Sequence, residues 1–183
     1  MRKKFLFTIT VVFIFGVQNL VGQVSFPNSW QGNYKGELEI FGVESVRMRV
    51  LMKLAIAKKK DTVYQWKISY EFKGKEDIRD YELKIVDVLK GHYLIDEKNS
   101  IIIDSYYKND IFTSFFEVMN SYIISSYTKE NEDIVFEIIS GDGNKTTSSG
   151  NKNVEGEEIP EVISYLVNGR QKAVLKKYQL SAD

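Results

Sequence analysis

The chain has 183 residues, with 25 basic and 25 acidic side chains, one histidine and no cysteine. A formal net charge of zero, with no basic stripe, removes any electrostatic case for nucleic acid as a partner. Without cysteine there is no disulfide bracing and no lipid-modified N-terminal cysteine, so stability has to come from the core alone.

The N-terminus reads as an export signal. Arg2, Lys3 and Lys4 form a charged start, Phe5 to Phe15 is apolar apart from Thr8 and Thr10, and Gly22 is a small residue before a cleavage point. The apolar run is shorter than the ~20 residues a membrane-crossing helix needs. Residues 1–22 are therefore expected to be a signal peptide, with a single domain over 23–183 and a soluble periplasmic or extracellular product. Removing the three basic residues of the signal leaves 22 basic against 25 acidic side chains. A mature chain of this size supports one domain with its own core.

Strand patterns follow one another from there. Tyr34, Gly36, Leu38 and Ile40 alternate with Lys35, Glu37 and Glu39. Val46, Met48, Val50, Met52, Leu54 and Ile56 alternate with a more polar set that includes Arg47, Arg49 and Lys53. A period of two over such lengths is a strand with one buried face. Tyr64, Trp66, Ile68, Tyr70 and Phe72 keep the period, as do Tyr81, Leu83 and Ile85. In the middle of the chain Ile101-Ile102-Ile103 and Phe115-Phe116 put apolar groups on both faces, which predicts a lid, a partner or tight packing outside the barrel wall.

Short polar connections such as Lys58 to Asp61, Lys98-Asn99 and Lys108-Asn109-Asp110 predict hairpins, and successive hairpins predict an antiparallel meander. Residues 141–160 are rich in Gly, Ser, Thr, Asn, Lys and Glu without apolar periodicity, and read as a long polar loop, exposed or acting as a flap. Two last strands are expected near Glu161 to Val167 and Lys172 to Gln179, the second returning beside the first strand to close the sheet. The predicted fold is all-β, an antiparallel up-and-down barrel of about ten strands.

The segment Trp30-Gln31-Gly32-Asn33-Tyr34-Lys35-Gly36 resembles the opening of the calycin barrels, the lipocalins and fatty-acid-binding proteins. The resemblance implies a lipocalin-like barrel whose end is plugged by Trp30. Lys176-Lys177-Tyr178 is similar to the Arg-x-Tyr with which fatty-acid-binding proteins grip a ligand carboxylate, with Lys176 standing where they carry arginine. The chain also resembles uncharacterised lipocalin-like secreted bacterial proteins, a likeness that implies no particular activity.

Chemistry-bearing clusters are sparse. His92 is the only histidine and reads as a strand residue with a satisfied ring. One histidine without cysteine is a poor basis for zinc, and Asp96-Glu97-Lys98-Asn99 lacks the spacing of a calcium loop, so no metal and no cofactor are expected. Asp104 and Glu117 fall in or near the most apolar strands. Paired carboxylates there suit general acid–base chemistry on a sugar, or ion-pair with Arg79.

Aromatics are the surplus: 11 Tyr, 11 Phe and 2 Trp. A barrel of about ten strands is wider than side chains readily fill. A cavity lined by Met48, Met52, Tyr64, Trp66, Tyr70 and Tyr81 is therefore expected, suited to a small apolar or amphipathic ligand. Non-enzymatic ligand binding is the leading expectation. A cell-envelope interaction module with a filled core is the alternative, and a carboxylate-dependent glycoside hydrolase comes third.

Overall fold

A computed structural model describes residues 25–179. The expected signal peptide, Met1 to Gly22, lies outside them. A short 3₁₀ turn, Asn28–Trp30, leads into β1 (Gly32–Phe41), β2 (Val46–Lys60), β3 (Val63–Phe72), β4 (Lys75–Asp87) and β5 (His92–Asp96). The chain continues through β6 (Ile102–Lys108), β7 (Ile111–Val118), β8 (Ser121–Glu130) and β9 (Asp133–Ser149). A small hairpin follows, β10 (Lys152–Val154) with β11 (Glu157–Ile159), and β12 (Val162–Tyr178) ends the described chain.

Ten of these strands close into an antiparallel barrel in the order β1-β12-β9-β8-β7-β6-β5-β4-β3-β2. This architecture is compatible with a calycin-like fold. Closure is made by β1 against β12, with Lys35 opposite Lys176 and Leu38 opposite Ala173. Gly36 permits that seam. A Cβ at this position would stand 2.1 Å from the Val174 carbonyl oxygen, so a larger residue would push the two strands apart.

Alternation sets the core. On β2 the residues Val50, Met52, Leu54 and Ile56 are buried, while Arg49, Leu51 and Ala57 between and beside them are exposed. β3 buries Tyr64, Trp66 and Ile68 in the same way, and β9 buries Ile134 and Phe136. Outside, the strands β1 to β5 are laced by ion pairs, among them Arg49 with Glu39 at 2.9 Å and Lys84 with Asp96 at 2.6 Å. Pairs this exposed contribute little each, but they mark a wet face.

Three expectations need correction. Residues 141–160 are not a loop: β9 runs through Ser149, and β10 and β11 form a hairpin beyond it. Apolar periodicity is absent there because a two-stranded ribbon outside the barrel has no buried face to impose it. Its strands are held by backbone pairing, as in Val162 with Ser149 and Ser164 with Thr147. The tip is a two-residue turn in which Glu155 and Gly156 both take positive φ, the geometry that suits a tight hairpin.

Secondly, the two last strands are one continuous β12. Thirdly, the turn after β5 is one residue longer than Lys98-Asn99 suggests. Lys98 and Ser100 adopt positive φ, and the Glu97 N–H donates to the Ile101 carbonyl. A two-residue turn at Lys98-Asn99 predicts Asp96 opposite Ile101 and Tyr93 opposite Asp104; Asp96 instead faces Ile102, and Asp104 faces Leu94. A slip of one residue exchanges the faces of a strand. The doubly apolar middle strands have no cover among the described residues: Ile102 is 57% and Phe115 67% exposed.

Candidate functional site: the open half of the barrel

The barrel interior has two unlike halves. At one end the 3₁₀ turn carries the chain across the opening, and Phe26 and Trp30 turn inward. Phe26 stacks on Tyr107 from β6 with ring centroids 4.4 Å apart and meets the edge of Tyr93 from β5 at 4.9 Å. Trp30 is 1% exposed and lies edge-on to Phe26, while its carbonyl accepts a 2.8 Å hydrogen bond from the Tyr34 hydroxyl. Phe112, Trp66, Tyr127 and Phe136 carry this aromatic column up through the barrel, each ring within 5.3 Å of the next. This end is filled.

Above the column the interior opens. A compartment of ≈ 480 Å³ reaches the surface beside Met48 and Phe72 and is walled by Leu38, Ile40, Val50 and Ile138. A second space of ≈ 180 Å³ lies beside Trp66, Tyr81, Phe112 and Phe136. Tyr70, Arg79 and Ile138 border both. The Arg79 guanidinium sits over the Tyr70 ring, 5.2 Å from its centroid, so the two side chains form a partition between the compartments.

Arg79 points inward because it shares the parity of Tyr81 and Leu83 on β4, two and four residues along the strand. Its Nη2 is 3.3 Å from the Asp77 carboxylate, the next inward position toward the mouth. Burial works against the charge of Arg79, but Tyr70, Tyr81 and Asp77 outweigh it and raise its pKa. The guanidinium is therefore a permanent cation at the rim of a mostly apolar space, its side chain 49% exposed. Burial in turn pushes the Tyr70 phenol up to about 12, against the opposing pull of Arg79. Tyr81 is raised by burial as well, with Arg79 again opposing. Ser114 and Ser125 add hydroxyl groups to the wall of the smaller space.

The expected lining residues divide. Met48 and Tyr70 border the larger compartment, and Trp66, Tyr70 and Tyr81 the smaller one. Met52 and Tyr64 border neither: Met52 is fully buried in side-chain packing, and the Tyr64 hydroxyl donates to Asn28 Oδ1 at 2.7 Å near the filled end. Trp30 lies in the aromatic cluster at that same end. Among the lining residues the sequence reading missed, Arg79 and Ile138 border both spaces. The parity of β4, followed two residues back from Tyr81, was the available signal for Arg79.

The other candidates lie outside the cavity. His92 stacks on Tyr106 with centroids 5.0 Å apart, and its Nε2 is 2.5 Å from Asp104 Oδ1 on the outer wall. Glu117 is exposed on the outer face of β7, so Asp104 and Glu117 do not share a cleft in the interior. Lys176 pairs with Asp133 at 2.6 Å on the outside, and Tyr178 lies under the Lys35 ammonium. Neither Lys176 nor Tyr178 borders the two interior spaces. Among the described residues no group of three or more His, Cys, Asp or Glu side chains is arranged to hold a metal.

No protein-family model matches this chain, and no curated protein matches it in sequence.

Proposed function

We propose that this protein is an exported, lipocalin-like carrier that holds a small amphipathic molecule in the open half of its barrel without transforming it. The observation that carries this reading is the division of the interior into a filled aromatic end and an open compartment with an apolar wall and a charged rim of Lys75, Glu76, Asp77 and Arg79. Such a space removes an apolar body from water, while Arg79, Tyr70 and Tyr81 orient a polar or anionic head. A soluble state is supported by the polarity of β1 to β5, where ion pairs face outward and apolar side chains such as Met52 and Trp66 face inward, the reverse of a membrane barrel.

Native mass spectrometry on the protein recovered from its own host tests the proposal. The expected result is a bound small molecule that dissociates on denaturation. Protein that arrives empty, and that also fails to take up an apolar reporter dye, overturns it.

A second reading, an interaction module of the cell envelope, draws on the outer wall. Phe115, Ile102 and Ile124 are 67%, 57% and 41% exposed there, a run of apolar surface that suits a protein partner.

A further inference from the structure

The smaller of the two interior spaces exists because serine occupies two of its inward wall positions. Along β7 the inward residues run Phe112, Ser114, Phe116, and along β8 they run Ile123, Ser125, Tyr127. Ser114 faces Ser125 across the β7–β8 pair, and Ser125 faces Ile138 on β9. Two short side chains lie side by side, with large ones before and after them on both strands. The result is a notch in the barrel wall.

The notch has the size of a single ring. Its ≈ 180 Å³ is close to the ~150 Å³ in which a cavity of apolar side chains takes up benzene. Trp66, Phe112, Tyr127 and Phe136 line it from the filled end of the barrel. Trp66 and Phe112 are tilted 55° to one another with centroids 5.3 Å apart, so they offer a guest ring both faces and edges. Aromatic groups attract one another in such arrangements.

Polar groups gather on two sides of the space. One is the serine pair, and the other is formed by Arg79 and Tyr81 from β4 with Glu97 just beyond β5. Ser114 is held in place by Ser105, oxygen to oxygen at 2.7 Å, and both of these hydroxyls are buried. Elsewhere the wall is mostly apolar, with Ile95, Ile103, Phe136 and Ile138. A sugar ring, hydroxylated all round, would press some of its hydroxyls against these side chains without partners, which burial penalises. A flat ring with one polar edge meets no such cost.

Resting on the carrier reading above, we propose that the molecule carried here has a phenol-like head, a single aromatic ring seated in the notch with its hydroxyl against Ser125 and Ser114. Its apolar body lies in the larger compartment, reached past Tyr70, Arg79 and Ile138, which border both spaces.

Calorimetric titration with three probes tests this: para-butylphenol, nonanol as an acyclic alcohol of similar hydrophobicity, and butyl glucoside. Para-butylphenol is expected to bind about tenfold tighter than nonanol, and to quench Trp66, which borders the smaller space and not the larger. Ser125→Leu fills the notch and should remove that advantage, leaving nonanol binding as in the wild type. Ser125→Ala keeps the space, the fold and nonanol binding but removes the hydroxyl, and should cost para-butylphenol about fivefold. Para-butylphenol no tighter than nonanol, a preference for the glucoside, or an affinity that neither serine variant moves would overturn the phenol-like head while the carrier reading stands. Wild-type protein that binds none of the three probes overturns both.

Discussion

The Arg79 guanidinium lies over the ring of Tyr70, 5.2 Å from its centroid, at the boundary between the two compartments of the barrel interior. Both side chains come from inward positions of neighbouring strands, Tyr70 facing Asp77 and Ile68 facing Arg79 across the β3–β4 pair. A cation held this way at the rim of an apolar space discriminates among ligands by their head groups. Arg79→Met should weaken a carboxylate-bearing apolar probe about tenfold, or ~1.4 kcal/mol, while its neutral alcohol analogue binds as before. Titration calorimetry with the two probes decides it. Equal losses for both would mean that Arg79 shapes the cavity without reading charge.

Filling the cavity is the complementary test. Ile138 borders both compartments, so Ile138→Trp should abolish uptake of an apolar dye while the protein stays folded. Met52→Trp should behave differently. Met52 has 0% exposure and borders neither space, and overpacking such a position costs typically ~1–3 kcal/mol. Dye titration followed by the quenching of Trp66, read beside chemical denaturation, separates the two effects. Undiminished dye binding to a folded Ile138→Trp variant would place the ligand elsewhere.

Trp30 sits in the filled end, 1% exposed, with Phe26 and Tyr107 against it. Its truncation leaves a large void among rings that have no freedom to collapse, so Trp30→Ala should cost about 3–5 kcal/mol. Urea denaturation measures this. A loss below about 1 kcal/mol would mean that the rings of Phe26 and Tyr107 close over the gap.

How legible this was follows from where each residue points. Met52, Leu54, Trp66 and Leu83 were readable because a barrel wall imposes a strict period of two and buries one parity. The same parity overreached at Met52 and Tyr64, since it distinguishes inside from outside but not a filled level from an open one. That distinction depends on the tilt of strands and on rings such as Phe112 and Phe136 arriving from the far wall. The ribbon was illegible for the opposite reason: Lys145 to Ser149 bury nothing, so no pattern marks them as a strand. Register failed by one at the turn after β5, where the positive φ of Lys98 and Ser100 carries no residue signature as plain as glycine.

Export is tested chemically. The succession of Arg2 to Lys4, the apolar run to Phe15 and the small Gly22 predicts cleavage that leaves Gln23 first. N-terminal sequencing of protein from the periplasmic or culture fraction should begin near Gln23. Recovery of an intact Met1 end from that fraction counts against the signal.

The last expectation concerns pH, and its two arms have opposite origins. On the outer wall the Lys98 ammonium, with Gln65, holds the Asp80 carboxyl below its usual range, and Lys84 with the Lys98 N–H does the same for Asp96. A carboxylate with a depressed folded pKa stabilises the fold above its unfolded value and loses that contribution as pH falls through the folded value. Melting temperature should therefore decline below about pH 4, and Asp80→Asn with Asp96→Asn should flatten the decline. Inside, burial pushes the Tyr34 and Tyr70 phenols up to about 12. Groups raised in the folded state contribute fully below their unfolded value and lose it as pH rises, so a second decline is expected above about pH 10. Tyr70→Phe removes one ionisable phenol and should soften that alkaline arm while leaving the acid arm unchanged. Thermal melts of wild type and variants across both ranges check the signs, and an alkaline arm unmoved by Tyr70→Phe would show that Tyr70 is not among the phenols that drive it.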